Sequence, residues 1–129
     1  MSLFRVKYLS FFFVLISVFS FFNIIYSHYF NLYLNLNTYY YSLVSSSVIA
    51  IIFYLLKSSE KKPSIFDKIL TVLFGYVLIP LVLSIPFYFS IYNLTFLNAF
   101  FESVSGFTST GFTIFENIKH IDQGLILWR

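Results

Sequence analysis

Three long apolar runs divide the chain, and the polar stretches between them are short and unequal. Residues 8–27 carry no charge. At 1.5 Å per residue they make about 30 Å of helix, the thickness of a bilayer's hydrocarbon core. Residues 39–56 are also uncharged and give about 27 Å. The third run is 69–92, with Pro80 and Pro86 inside it. Each proline removes a backbone donor and favours a kink. Membrane helices tolerate such kinks where neighbours satisfy the freed carbonyls. Residues 31–37, with Asn31, Asn35 and Asn37, read as a short uncharged connection. The hydrophilic block is Lys57-Ser58-Ser59-Glu60-Lys61-Lys62-Pro63-Ser64. Pro63 disfavours helix at Lys62. Ser64 is placed to cap the next helix, and Asp67 suits its positive start.

The pattern changes after Tyr92. Residues 94–107 are apolar again but broken by Asn98, Glu102, Ser103 and Ser105. From 96 to 105 a helix would be about 15 Å long, too short to span. A half-depth, re-entrant helix fits this length, and it survives only buried in protein or lining a wet cavity. Its C-terminal end would favour a cation, and Gly106 is expected to close it in a left-handed conformation. Then comes Phe107-Thr108-Ser109-Thr110-Gly111-Phe112-Thr113. An extended return over 108–113 would offer carbonyls in place of a cation's hydration shell. Gly111 permits backbone angles that a residue with Cβ resists, and Thr108, Thr110 and Thr113 add hydroxyl oxygens. Such hard oxygens, without carboxylates, suit a weakly hydrated monovalent ion better than calcium or magnesium. On residue types alone, a cluster of Thr, Ser and Gly reads equally as an ordinary loop.

Composition supports the membrane reading. The 129 residues are 59% hydrophobic and 10% charged, with a mean hydropathy of +0.84; soluble domains are about 25% charged. The net charge of +3 does not point to nucleic acid, because the basic residues flank apolar runs instead of lying on an aromatic-bearing polar face. Arg5, Lys7, Lys57, Lys61, Lys62 and Lys68 fall on one side of three spans, and Lys119 and Arg129 on the other. The positive-inside rule then makes the N-terminus cytoplasmic. A cleaved signal peptide is the alternative for 8–27, but His28-Tyr29-Phe30 follows where a small-residue cleavage site would stand. Cys is absent, so neither disulfides nor thiolate metal sites arise. No charge lies inside the three runs, so ion chemistry must come from backbone or hydroxyl oxygens. Ser42, Ser45, Ser46 and Ser47 read as helix-packing residues.

The stretch Asn98-Ala99-Phe100-Phe101-Glu102-Ser103-Val104-Ser105-Gly106-Phe107-Thr108-Ser109-Thr110-Gly111-Phe112-Thr113 resembles the first pore helix and filter of the TrkH/KtrB (Trk/Ktr/HKT) potassium uptake permease family. Leu125-Ile126-Leu127-Trp128-Arg129 is similar to that family's stretch after the filter. The resemblance implies an all-α integral membrane fold. Three transmembrane helices are followed by a re-entrant pore helix and an extended filter loop, the first and incomplete repeat of a four-repeat pore. Residues 1–63 would be a two-helix transmembrane hairpin, and 64–129 the incomplete repeat. The resemblance also implies potassium as the transported ion, held by oxygens of Thr108, Ser109, Thr110, Gly111 and Phe112, with Glu102 and Gly106 supporting them from the pore helix. Ser109 stands where many members have Thr. Glu102 has two readings, a field on the ion entrance or a hydrogen bond to neighbouring backbone.

The implied partners are the lipid bilayer, the remaining pore repeats of a full-length chain, a cytoplasmic nucleotide-binding regulatory subunit and, when complete, a second copy in a homodimer. No covalently bound cofactor, enzymatic activity or nucleic acid is expected. The implied location is the plasma (inner) membrane. The chain departs from the family in length, ending where the first repeat's inner helix should begin. It is therefore expected to be an N-terminal portion that does not conduct alone. A small multi-pass membrane interaction protein without an ion path is the alternative. A membrane enzyme built on Glu116, Lys119, His120 and Asp122 is a third reading. One His and loose spacing favour a solvated loop there instead.

Overall fold

The computed structural model describes residues 6–56, 64–116 and 120–129, with side chains from residue 9 onward. Among them are six helices: α1 (Val6–Tyr29), α2 (Leu36–Leu55), α3 (Ile65–Leu83), α4 (Ile85–Tyr88), α5 (Phe96–Phe107) and α6 (Gln123–Trp128). Three segments are long and apolar enough to cross a membrane: Leu9–Tyr29, Leu36–Leu55 and Ile65–Tyr88. Their exposed faces are hydrocarbon, with Phe11, Phe19, Phe22, Ile51, Leu55, Ile65 and Leu73 all outward. Water penalises such a surface and lipid does not. The chain is an all-helical, multi-pass membrane protein in contact with the bilayer. Lys57, Lys61, Lys62, Pro63, Lys119 and Arg5 lie outside the described residues, as does the Lys7 side chain.

α1 and α2 form an antiparallel hairpin whose seam is hydroxylic as well as apolar. The Ser10 hydroxyl donates to the Ala50 carbonyl at 3.1 Å. Ser17 and Ser47 meet at 2.8 Å, and Ser20 donates to Ser42 at 3.1 Å. Small residues let the two backbones approach, and a hydroxyl buried between helices needs a partner. Ser45 and Ser46 bond instead to carbonyls of their own helix, those of Ser42 and Leu43. The apolar part of the seam includes Phe13, edge-to-face with Phe53 at 5.4 Å between ring centres.

α3 begins where Ser64 and Asp67 predict: Ser64 is the N-cap, and its N–H donates to the Asp67 carboxylate at 3.2 Å. The third apolar run does not stay one helix, however. It breaks at Ser84, between α3 and α4, and Pro86 sits in the first turn of α4. Pro86 has no N–H, so the Val82 carbonyl loses its partner four residues on, and the ladder resumes only with Tyr88 N–H to the Ser84 carbonyl at 2.9 Å. The carbonyls around the break find other donors. Leu81 accepts from the Ser84 hydroxyl at 2.7 Å. Pro80 accepts from Ser103 of α5 at 2.8 Å. Leu83 accepts from the Trp128 indole of α6 at 3.0 Å. The break is thus the seat of α5, and it also takes the Trp128 side chain of α6, a helix that itself packs on α1.

A second polar knot ties the opposite end of the hairpin to the same region. The Asn35 amide donates to Asp122 at 2.9 Å, and its oxygen accepts from the Ile91 N–H at 3.0 Å. The Asp122 N–H donates to the Tyr92 hydroxyl at 2.8 Å. Asn35, at the turn between α1 and α2, therefore fixes both the chain leaving α4 and the start of α6.

Candidate functional site

α5 starts at Thr95, whose hydroxyl accepts from the Asn98 N–H at 3.4 Å, an ordinary N-cap. Its buried positions Ala99, Glu102 and Ser103 are spaced three and four apart, which puts them on one face. Phe96, Leu97 and Phe101 point outward. Ser103 on the buried face reaches the Pro80 carbonyl and so registers α5 against the break in α3.

The end of α5 differs from the expectation. Gly106 does not close the helix in a left-handed conformation; α5 runs on to Phe107. The left-handed residue is Ser109, with φ +55°. The Thr110 N–H donates to the Ser105 carbonyl at 3.0 Å, and the Ser109 N–H to the Gly106 carbonyl at 3.1 Å. These two bonds make a Schellman cap with serine where glycine is usual. Gly106 is needed for another reason. A Cβ there would lie 2.6 Å from the backbone oxygen of Arg129, so glycine is what lets α5 and the chain after α6 touch. The expected extended return over 108–113 is likewise shorter. Thr108 still belongs to the helical turn and Ser109 is left-handed, so only residues from Thr110 onward leave the helix path.

Beneath this loop lies Glu102, fully buried. Its Oε1 accepts from the Thr113 hydroxyl at 2.7 Å and from the Ile114 N–H at 2.6 Å. Its Oε2 faces Arg129 Nε at 3.1 Å. A buried carboxylate is costly unless paired and hydrogen-bonded; here Oε1 takes the hydrogen bonds, and Oε2 has the ion pair alone, with no hydrogen-bond partner among the described residues. The same Arg129 donates through Nη2 to the carbonyls of Gly111 at 3.2 Å and Phe112 at 2.6 Å. The Phe112 carbonyl accepts again from Ser105 at 2.6 Å. One carboxylate and one guanidinium thus connect α5, the loop and the end of α6.

The five loop residues Thr108, Ser109, Thr110, Gly111 and Phe112 lie together on one exposed stretch. Thr108 gives its proton to the Val104 carbonyl at 2.8 Å. Its 2.6 Å contact with the Thr110 hydroxyl must then carry the proton of Thr110. Gly111 adopts φ +82° with no atom near its missing Cβ. It therefore serves backbone direction alone.

The residue pattern alone gave Arg129 and Ser105 no place in support of this loop, and Thr113, expected to offer its hydroxyl oxygen to a cation, instead donates to Glu102 at 2.7 Å and accepts from the Phe115 N–H at 3.1 Å. The signal for Arg129 was the carboxylate itself. A lone Glu in an apolar half-length helix demands a cation, and Arg129 closes the apolar run 125–128. Of the charged residues between the loop and α6, Asp122 caps α6 through the Gly124 N–H and accepts from Asn35. Glu116 and His120 are exposed. Among the described residues no group of three or more His, Cys, Asp or Glu could hold a metal ion.

Two curated proteins are similar to parts of the chain. An uncharacterized cation transporter of Methanocaldococcus jannaschii is 25% identical over 101 residues, covering 77% of this chain and 21% of that protein. The Trk system potassium uptake protein TrkI of Halomonas elongata is 47% identical over 51 residues, covering 40% of this chain and 9% of that protein. The matched segments span about a fifth or less of those relatives. No family model matches the chain, and no solved structure matches it.

Proposed function

We propose that the chain serves cation transport, and specifically potassium uptake, as the N-terminal portion of a Trk-type permease. In this reading α5 is a re-entrant pore helix, and 108–112 is one strand of a selectivity filter. The observation that carries it is the buried carboxylate of Glu102. It holds the loop backbone from below, through Ile114 and Thr113, while the segment 108–112 stays exposed. A helix of twelve residues docked on the broken third span delivers that loop partway along the bundle. In this reading oxygens of Thr108, Ser109 and Thr110 meet a dehydrated monovalent ion. The naming of both relatives as cation or potassium transporters supports the same class.

One loop lines one side of an ion. The remaining sides come from further repeats of a longer chain, and the 129 residues alone do not conduct. Residues 1–63 form the supporting hairpin and 64–129 the first part of a pore repeat. The N-terminus is cytoplasmic in the inner membrane. A cytoplasmic nucleotide-binding subunit and a second copy of the complete chain are its partners. A decisive test transplants residues 98–129 into the equivalent place of a complete Trk-type permease. The chimera should support growth of an uptake-deficient strain on limiting potassium. A chimera that reaches the membrane yet gives no potassium uptake, while the permease's own segment does, removes the filter assignment.

A further inference from the structure

We infer that Arg129 is a positioning residue that divides the loop's oxygens into two sets. The inference rests on the filter reading above and deepens it. The Arg129 guanidinium uses Nε on Glu102 and Nη2 on the carbonyls of Gly111 and Phe112. Those two carbonyls therefore face a fixed cation belonging to the protein. The Phe112 carbonyl is doubly committed, because Ser105 also donates to it. The oxygens left for a mobile cation are those before Gly111, on Thr108, Ser109 and Thr110. Gly111, the glycine with φ +82°, is the first residue of the set held by Arg129.

The geometry requires a fork and not merely a positive charge. Guanidinium is planar and presents several donors in fixed directions, so it can hold a carboxylate and two carbonyls at once; an ammonium is a compact point charge. Gly106 completes the arrangement, since a side chain there would push the Arg129 backbone away. The ion-facing set is accordingly three residues long, and its aim depends on a residue that never touches the ion.

Hydrogen–deuterium exchange in detergent micelles tests this, on the purified chain in choline chloride and on the chimera above with choline, sodium and potassium chloride compared. The reporter is the peptide over 108–116, and α1–α2 peptides are the folding control. Arg129→Gln and Arg129→Lys should both speed loop exchange about tenfold in choline chloride, the equivalent of one lost charge-assisted hydrogen bond, and leave α1–α2 unchanged. Wild-type exchange for Arg129→Lys, with only Arg129→Gln accelerated, would mean that charge alone suffices and would overturn the inference. Unchanged exchange in both variants overturns it as well. So does acceleration that spreads to α1–α2 in both, which makes Arg129 a staple for the whole fold. The potassium arm keeps the two readings apart, and it uses the chimera that carries residues 98–129 in a complete permease, because one loop lines only one side of an ion. Potassium, and not sodium, should slow exchange over this loop there. If it does not, the filter reading falls, whatever the choline data say about the fork.

Discussion

The hairpin of α1 and α2 and the unit made by α5, its loop and α6 solve the same problem in opposite ways. Both must bury polar groups between helices. The hairpin does so with several separate neutral contacts, Ser10 to Ala50, Ser17 to Ser47 and Ser20 to Ser42. The C-terminal unit concentrates its polarity in one carboxylate and one guanidinium, which reach four backbone or side-chain partners between them. Distributed hydroxyls tolerate the loss of any member. A concentrated ion pair fixes geometry more tightly and fails all at once. That contrast matches the roles proposed for the two regions, a packing scaffold and a loop whose oxygens must point in set directions.

The sharpest way to break the contrast is Glu102→Ala. It strands the Ile114 N–H, the Thr113 hydroxyl and the Arg129 charge together. Removing one member of a buried pair costs about 3 kcal/mol, and Arg129 is only partly exposed, its side chain 21% accessible. Unfolding by SDS titration of the reconstituted chain should show a loss of that size. A loss no greater than for a hairpin serine would mean that the C-terminal unit is as redundant as the hairpin.

Next come the two glycines, which separate contact from conformation. Gly106→Ala places a Cβ against backbone, 2.6 Å from the Arg129 oxygen, so relief must come from moving α6. Overpacking of this kind costs about 1–3 kcal/mol, and the same SDS titration measures it. Gly111→Ala meets no atom at all, and its cost is the positive φ alone, about 1 kcal/mol. Stability should therefore fall less at Gly111 than at Gly106. In the transplanted permease the order should reverse for ion selectivity, with Gly111→Ala lowering the potassium-to-sodium uptake ratio more. Equal selectivity losses at the two sites would argue that the loop's direction carries no special function.

How much of this was legible before the structure differs between the same two regions. The spans could be read because hydrocarbon runs with no charge have few other destinations. The start of α3 could be read because the Ser64 and Asp67 pair is local. The end of α5 was misplaced because a Schellman cap with serine in the left-handed position gives no glycine to point at; Gly106 drew the assignment, although its role is a contact with Arg129 far along the chain. The break at Ser84 was foreshadowed by Pro86. Its use as a docking seat was not, since Trp128 and Ser103 reach Leu83 and Pro80 only after the chain has folded back. Long-range pairs such as Glu102 with Arg129 and Asn35 with Asp122 leave no periodic trace. Only the energetic demand of a buried carboxylate could have announced the first of them.

The smallest effect is expected in the hairpin, and it is the one that defines the comparison's baseline. Ser20 is fully buried and its hydroxyl bonds to the Ile16 carbonyl of its own helix as well as to Ser42. Replacing it with Ala leaves Ile16 still within the helix ladder and costs Ser42 one partner. Interhelical hydroxyl bonds in membrane proteins average about 0.6 kcal/mol, because the separated helices also find internal partners. A double-mutant cycle over Ser20→Ala and Ser42→Ala in the SDS titration should return a coupling of that order. A coupling as large as the Glu102 effect would show that one hydroxyl pair, and not the seam as a whole, holds α1 against α2.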